Sequence, residues 1–146
     1  MYKFTKSVFI NRPRQDVFEF LSNPAHMPKW QPALISAEWT SPGTPAIGST
    51  YRTLAKGFGG TAEYLLEITH WDPPNRYSYK SVKIPFPGSI ESSYTFASKE
   101  NGTQGTWEVQ ITAAGLLKIA ESMLGKQAEK LEGGNLDLAK QFLEAG

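Results

Sequence analysis

Proton-moving chemistry in this 146-residue chain has few residues to draw on: 2 His, 6 Tyr, 14 Asp and Glu together, and no Cys. Without Cys there is no thiolate nucleophile, disulfide or cysteine metal site, and His26 and His70 are too few for a His-built metal centre. No metal site is expected. The chain has no HExxH pair and no P-loop, and Gly57-Phe58-Gly59-Gly60 reads as a hairpin rather than a phosphate cradle. No cofactor is expected either, so acid–base chemistry would fall to His70 and to tyrosines such as Tyr79.

Where those side chains point depends on the strands that carry them. From about residue 33 to 113, short runs are divided by turn chemistry at Ser41-Pro42-Gly43-Thr44-Pro45, Gly57-Phe58-Gly59-Gly60, Asp72-Pro73-Pro74-Asn75, Pro85-Phe86-Pro87-Gly88 and Asn101-Gly102, which predicts six strands. A two-residue turn at Asn101-Gly102 sets Phe96 opposite Trp107, Tyr94 opposite Val109 and Ser92 opposite Ile111 on one mostly apolar face. A turn at Gly59-Gly60 pairs Tyr51 with Ile68 and Thr53 with Leu66 inside, while Arg52 meets Glu67 and Lys56 meets Glu63 outside. A four-residue loop at Asp72 to Asn75 puts His70 opposite Tyr77 and Ile68 opposite Tyr79, again on the inner face.

The same parity sends Tyr51, Tyr64, Tyr77, Tyr79 and Tyr94 inward. A buried phenol without a partner costs roughly 1 to 3 kcal/mol, so five of them argue for a cavity wall whose hydroxyls meet a ligand. For any single Tyr the alternative is a hydroxyl that reaches the rim or bonds to backbone. Gly105, inward beside Trp107, leaves volume unfilled. His70 is the one inward histidine, suited either to proton exchange near neutral pH or to a satisfied structural place. Glu63, Glu67, Glu91 and Glu108 take the outward parity, which argues against paired-carboxylate hydrolysis.

The remaining elements flank this meander. Residues 2 to 10 read as a strand, and Pro13, Asp16, Val17, Phe20 and Leu21 as a short helix that Asn23-Pro24 ends. Pro24 to Trp30 gives one more turn. From Leu116 to Glu144 the spacing of Leu117, Ala120, Leu124, Ala128, Leu131, Leu138 and Phe142 predicts a helix of roughly 43 Å, long enough to lie along the sheet and cover its apolar face. Lys118, Lys126, Lys130 and Lys140 alternate there with Glu121, Glu129, Glu132 and Glu144 as a solvated face, and Gly133-Gly134 is a candidate kink.

Length predicts one domain over residues 1 to 146. The 15 basic and 14 acidic side chains leave a formal charge of +1, which points away from nucleic acid. No apolar run nears the roughly 20 residues of a membrane span, and the start, Met-Tyr-Lys-Phe-Thr-Lys, lacks a signal peptide's apolar stretch, so no stable membrane insertion and a cytoplasmic location are expected.

A strand, two short helices, a six-strand meander and a long final helix is the layout of the helix-grip fold. Val8-Phe9-Ile10-Asn11-Arg12-Pro13, Val17-Phe18-Glu19-Phe20-Leu21-Ser22-Asn23-Pro24, His26 and Trp30-Gln31-Pro32 resemble the opening of the START-like SRPBCC superfamily, in its polyketide cyclase/dehydrase and lipid-transport-like branch. Gly48 before Tyr51-Arg52, the Asp72-Pro73-Pro74 turn and Gly102-Thr103 fit the same pattern over essentially the whole chain, whereas Gly133-Gly134 departs from the branch's unbroken last helix. The resemblance implies an α+β fold: a seven-stranded curved antiparallel sheet wrapped on a long C-terminal helix, with two short helices after strand 1. It also implies a cavity between sheet and helix, where members hold lipids, polyketides, steroids or hormones and some act as cyclases or dehydratases. It transfers no catalytic residue.

The resulting expectation is a binder of a mostly apolar small molecule, lipid, polyketide or isoprenoid-like. Its wall would be Tyr51, Tyr64, Leu66, Ile68 and Tyr77, with Tyr79, Tyr94, Phe96, Trp107 and Leu131, while Phe58 and Phe86 border the mouth. The alternative is a cyclase or dehydratase working in the same cavity by positioning, with His70 or Tyr79 moving a proton.

Overall fold

Alternating apolar and polar residues make strands, and here they make seven. The computed structural model describes residues 1–57 and 60–146 and orders them as β1 (Tyr2–Ile10), α1 (Arg14–Ser22), a 3-10 turn (Pro24–His26), α2 (Met27–Trp30), β2 (Leu34–Trp39), β3 (Thr50–Gly57), β4 (Gly60–Asp72), β5 (Arg76–Lys83), β6 (Gly88–Lys99) and β7 (Gly102–Ala113). A second 3-10 turn (Gly115–Ala120), α3 (Glu121–Glu132) and α4 (Asn135–Ala145) complete the chain. All neighbours in the sheet are antiparallel, in the order β1-β7-β6-β5-β4-β3-β2, so the chain returns β1 to the far edge, beside β7. This is the helix-grip fold: a curved sheet of seven strands, short helices after the first, and a helical C-terminal segment across one face.

The predicted inner face is right and the predicted partners are two residues off, because two turns sit elsewhere. The β6–β7 turn is Glu100-Asn101, with Glu100 at φ 55, so Tyr94 pairs with Trp107 and Phe96 with Gly105. Gly102 is instead a strand residue, and a Cβ there would stand 2.4 Å from the Ile10 carbonyl of β1. In β3–β4, Tyr51 faces Leu66 and Thr53 faces Tyr64. The predicted turn residues Phe58 and Gly59, and with them the expected place of Phe58 at the mouth, lie outside the described residues. Arg52 pairs with Glu38 at 2.6 Å and Glu63 at 3.5 Å rather than with Glu67. A slip of two keeps every side chain on its face, since the strand period is two.

One slip of a single residue does change faces. Ile68 pairs with Tyr79 as expected, but Thr69 bulges out of β4, so Ser78 lies opposite His70 and Tyr77 opposite Trp71. The loop that follows is three residues, since Asp72 pairs with Arg76. An extra residue in one strand reverses the alternation beyond it. His70 is therefore exposed, contrary to the inner place expected of it, and Trp71 packs inward against Phe18, with ring centroids 5.1 Å apart.

Two parts of the chain close the inner face. At one end α1 buries Val17, Phe18 and Leu21, and Trp30 of α2 is fully buried against Tyr94, packing the helix corner as its sequence context implies. His26 stacks on Phe20 at 5.0 Å, a structural use of that ring. The C-terminal helical segment is divided at Gly133-Gly134, its candidate kink, into α3 and α4. Past the break the buried stripe is Leu136 and Ala139, with Phe142 left 48% exposed, so the periodicity that ran through Leu138 and Phe142 is rotated. A Cβ on Gly125 would lie 2.2 Å from the Tyr2 ring, so α3 can approach β1 only through a glycine at that position.

Candidate functional site

Cross-strand register lines up the large aromatics. Trp107, Tyr94, Tyr77 and Trp71 are successive partners across β7, β6, β5 and β4. Their rings follow the row: Trp107 and Tyr94 stack at 5.7 Å, Tyr94 and Tyr77 at 4.9 Å. The next row is Val109, Ser92, Tyr79 and Ile68, in which the small Ser92 side chain leaves room between Tyr79 and the Trp107 indole. That indole donates to the Ser92 hydroxyl at 2.6 Å.

Between these rows and α3 lies a cavity of about 230 Å³. Eight of the ten residues expected to line it do so: Tyr51, Tyr64, Leu66, Tyr77, Tyr79, Tyr94, Trp107 and Leu131. Ile68 and Phe96 do not. Both are buried in solid core, Phe96 beside Phe18 at 5.8 Å, and its ring fills the space over Gly105 that the sequence suggested was empty. Phe86, expected at the mouth, is one of the lining residues; Met27, Val109, Ile111, Leu124 and Ala128 add apolar area.

Burial raises the phenol pKa of Tyr51, Tyr77 and Tyr94 well above the ordinary value. It pushes Tyr79 up to about 12, even though Ser92 and the Trp107 indole pull it partly back. These groups hold their protons at neutral pH and can donate hydrogen bonds. Tyr77 donates to the Leu21 carbonyl at 3.2 Å and so ties α1 to the sheet. Tyr51, Tyr64, Tyr79 and Tyr94 all line the cavity, and Tyr79 lies within hydrogen-bond reach of Ser92 and the Trp107 indole.

The acidic residues of the C-terminal segment are not the plain solvated face their spacing suggested. Glu121 is buried, accepting from the Ala113 amide at 2.9 Å and from the chain's amino terminus. Glu129 holds Tyr2 at 2.6 Å and Lys6 at 3.1 Å, and Glu144 holds the Asn11 amide and Lys140, each at 2.8 Å. Glu132 alone faces the cavity, where burial lifts its carboxyl from the usual 4.5 to about 7. It is the residue sequence reasoning missed; only its place directly after Leu131 and before the helix break could have flagged it. His70, exposed on the other face, contributes nothing to this site. Among the described residues no three His, Asp or Glu side chains converge as a metal site would require, and no helix is long and apolar enough to cross a membrane.

A hollow between a helix-grip sheet and its last helices defines a class, and comparison gives the family. The polyketide cyclase/dehydrase and lipid transport family matches residues 1–142, and the chain belongs to it. No curated protein sequence matches. Solved structures share the fold at low identity: TTHA0849 from Thermus thermophilus at 16% with TM-score 0.81, covering 99% of this chain and 98% of that one. Ara h 8.0201 follows at 15% and 0.79, covering 99% of each chain. The Zhui aromatase/cyclase from Streptomyces sp. R1128 is 18% identical with TM-score 0.79, over 98% of this chain and 93% of that one.

Proposed function

We propose that the protein binds a compact, mostly apolar small molecule in the cavity under α3. The observation that carries this reading is the aromatic wall itself: Tyr51 and Tyr94 are 2% and 3% exposed, yet both line the hollow instead of closing it. A ligand's polar atom would meet their hydroxyls while the rings supply area. Size narrows the class. About 230 Å³ exceeds the cavity of roughly 150 Å³ that holds benzene and falls below the roughly 300 to 1,000 Å³ used by drug-sized ligands. One or two fused rings, or a short branched chain, fit that space better than a whole polyketide.

The test is a titration with the neutral probe N-phenyl-1-naphthylamine, alongside native mass spectrometry of protein purified from its host. Saturable binding that Ala128→Phe abolishes by filling the hollow from α3 is expected. Absence of binding by this and other apolar probes would overturn the reading.

A second reading, cyclase- or dehydratase-type catalysis, is favoured by one observation. Glu132 is poised near 7, so it can both give and take a proton at neutral pH, with Tyr79 as a hydrogen-bond donor nearby. Proton transfer then belongs to Glu132 and not to His70. Turnover of an identified substrate that Glu132→Gln left at full rate would remove that role.

A further inference from the structure

We infer that the cavity selects an apolar molecule bearing a positively charged amine, held by the Glu132 carboxylate; this rests on the binding reading above. Two features converge on it. Glu121, Glu129 and Glu144 of the same C-terminal segment each have an N–H or cationic partner, whereas Glu132 has none among the described residues. It is also the last residue of α3, where the helix dipole disfavours an anion and favours a cation, so both the side chain and the nearby terminal carbonyls attract positive charge.

The other charged lining residue is Lys56 on β3, and it is exposed, so no buried cation of the protein occupies this role. Tyr64, Tyr79 and Tyr94, the titratable groups that feel Glu132, stay neutral and can share its oxygens without competing in charge. The raised carboxyl pKa agrees with this picture: a group kept from ionising by burial ionises once a cation arrives.

A matched pair of ligands tests the inference by calorimetry at about pH 8, where an alkylamine is charged. The pair is 2-(1-naphthyl)ethylamine and 2-(1-naphthyl)ethanol, alike in shape and differing in charge. The amine should bind at least about tenfold more tightly, the gain expected of a charge-assisted contact with the Glu132 carboxylate. Glu132→Gln should equalise the two while leaving the alcohol's affinity in place. Glu129→Gln, which removes the same charge one turn away outside the cavity, should keep the preference. An alcohol that binds as well as the amine, or a preference that survives Glu132→Gln, overturns this inference alone. If neither ligand binds and neutral probes also fail, the binding reading falls and takes it along.

Discussion

Under α4 the sheet is sealed, and under α3 it is hollow. Ile10, Val17, Leu21 and Ala139 show no exposure at the sealed end, where Lys140 reaches the Phe9 carbonyl at 2.7 Å and Arg12 reaches the Glu144 carbonyl at 2.9 Å. At the hollow end, Leu124, Ala128, Leu131 and Glu132 face open volume, and the opposing wall carries Tyr51, Tyr64, Tyr77, Tyr79 and Tyr94. The contrast follows from side-chain chemistry. Val, Leu and Phe have no polar tip and gain most from complete contact with one another. A tyrosine wall carries hydroxyls that solid packing would strand without partners.

Truncation should separate the two regions most strongly. Leu21→Ala, at a site with no exposure, is expected to cost about 2 to 5 kcal/mol and to lower Tm by roughly 10 °C. Leu124→Ala, which only enlarges an existing space, should cost less than about 1.5 kcal/mol. Thermal and urea denaturation of both variants checks this. Equal losses would mean that the α3 side is packed as densely as the α4 side.

Charge distinguishes the regions next. A carboxyl whose pKa rises from 4.5 to about 7 on folding binds its proton more tightly in the folded state, so folding is penalised as pH rises through that window. Below about pH 4.5 the penalty is absent; above about pH 7 it is complete. Its size is of order 2 to 3 kcal/mol, since each pKa unit is worth about 1.4 kcal/mol and partial hydration of the carboxyl trims the total. Glu132→Gln should therefore stabilise the protein at about pH 8 and leave it unchanged near pH 4. Groups around it do not mimic the effect, because Tyr64, Tyr79 and Tyr94 titrate far higher and Lys56 is exposed. Glu144→Gln at the sealed end should act in the opposite sense, since its carboxyl is held below the usual value by the Asn11 amide and Lys140. Chemical denaturation across pH 4 to 8 gives both signs.

The same contrast explains what the sequence could and could not reveal. Alternation places Tyr51, Tyr64, Tyr77, Tyr79 and Tyr94 on the inner face even with hairpin partners assigned two residues away, because face depends on parity and not on register. Seven of the eight expected residues found on the wall follow from that alone, and Leu131 follows from helical spacing. His70 was lost to a bulge at Thr69, which no turn residue announces. Glu132 was hidden for a different reason: the alternation of Lys and Glu along α3 assigns it to the charged face, and nothing in that spacing marks the one carboxyl that faces the cavity. Solid core and cavity wall also share residue types, so Ile68 and Phe96 could not be told from their neighbours by pattern.

The glycine pair offers the finest distinction between the two regions. Gly134 has φ −92, and a Cβ there would touch nothing within 4 Å, so Gly134→Ala should stabilise by about 0.5 to 1 kcal/mol through reduced freedom of the unfolded chain and better helix propensity. A Cβ at Gly133 would sit 2.6 Å from the Glu129 carbonyl, so Gly133→Ala should destabilise instead. The two variants bear on α3 more than on α4. With a hollow beneath it, α3 has fewer packed contacts to resist local opening, and its amides should exchange with solvent faster than those of α4. Gly134→Ala restrains the C-terminal side of α3 and should narrow that gap by up to about 1 kcal/mol, measured by native-state hydrogen exchange. Equal protection of the two helices in the unmodified protein would show that the cavity does not loosen its cover.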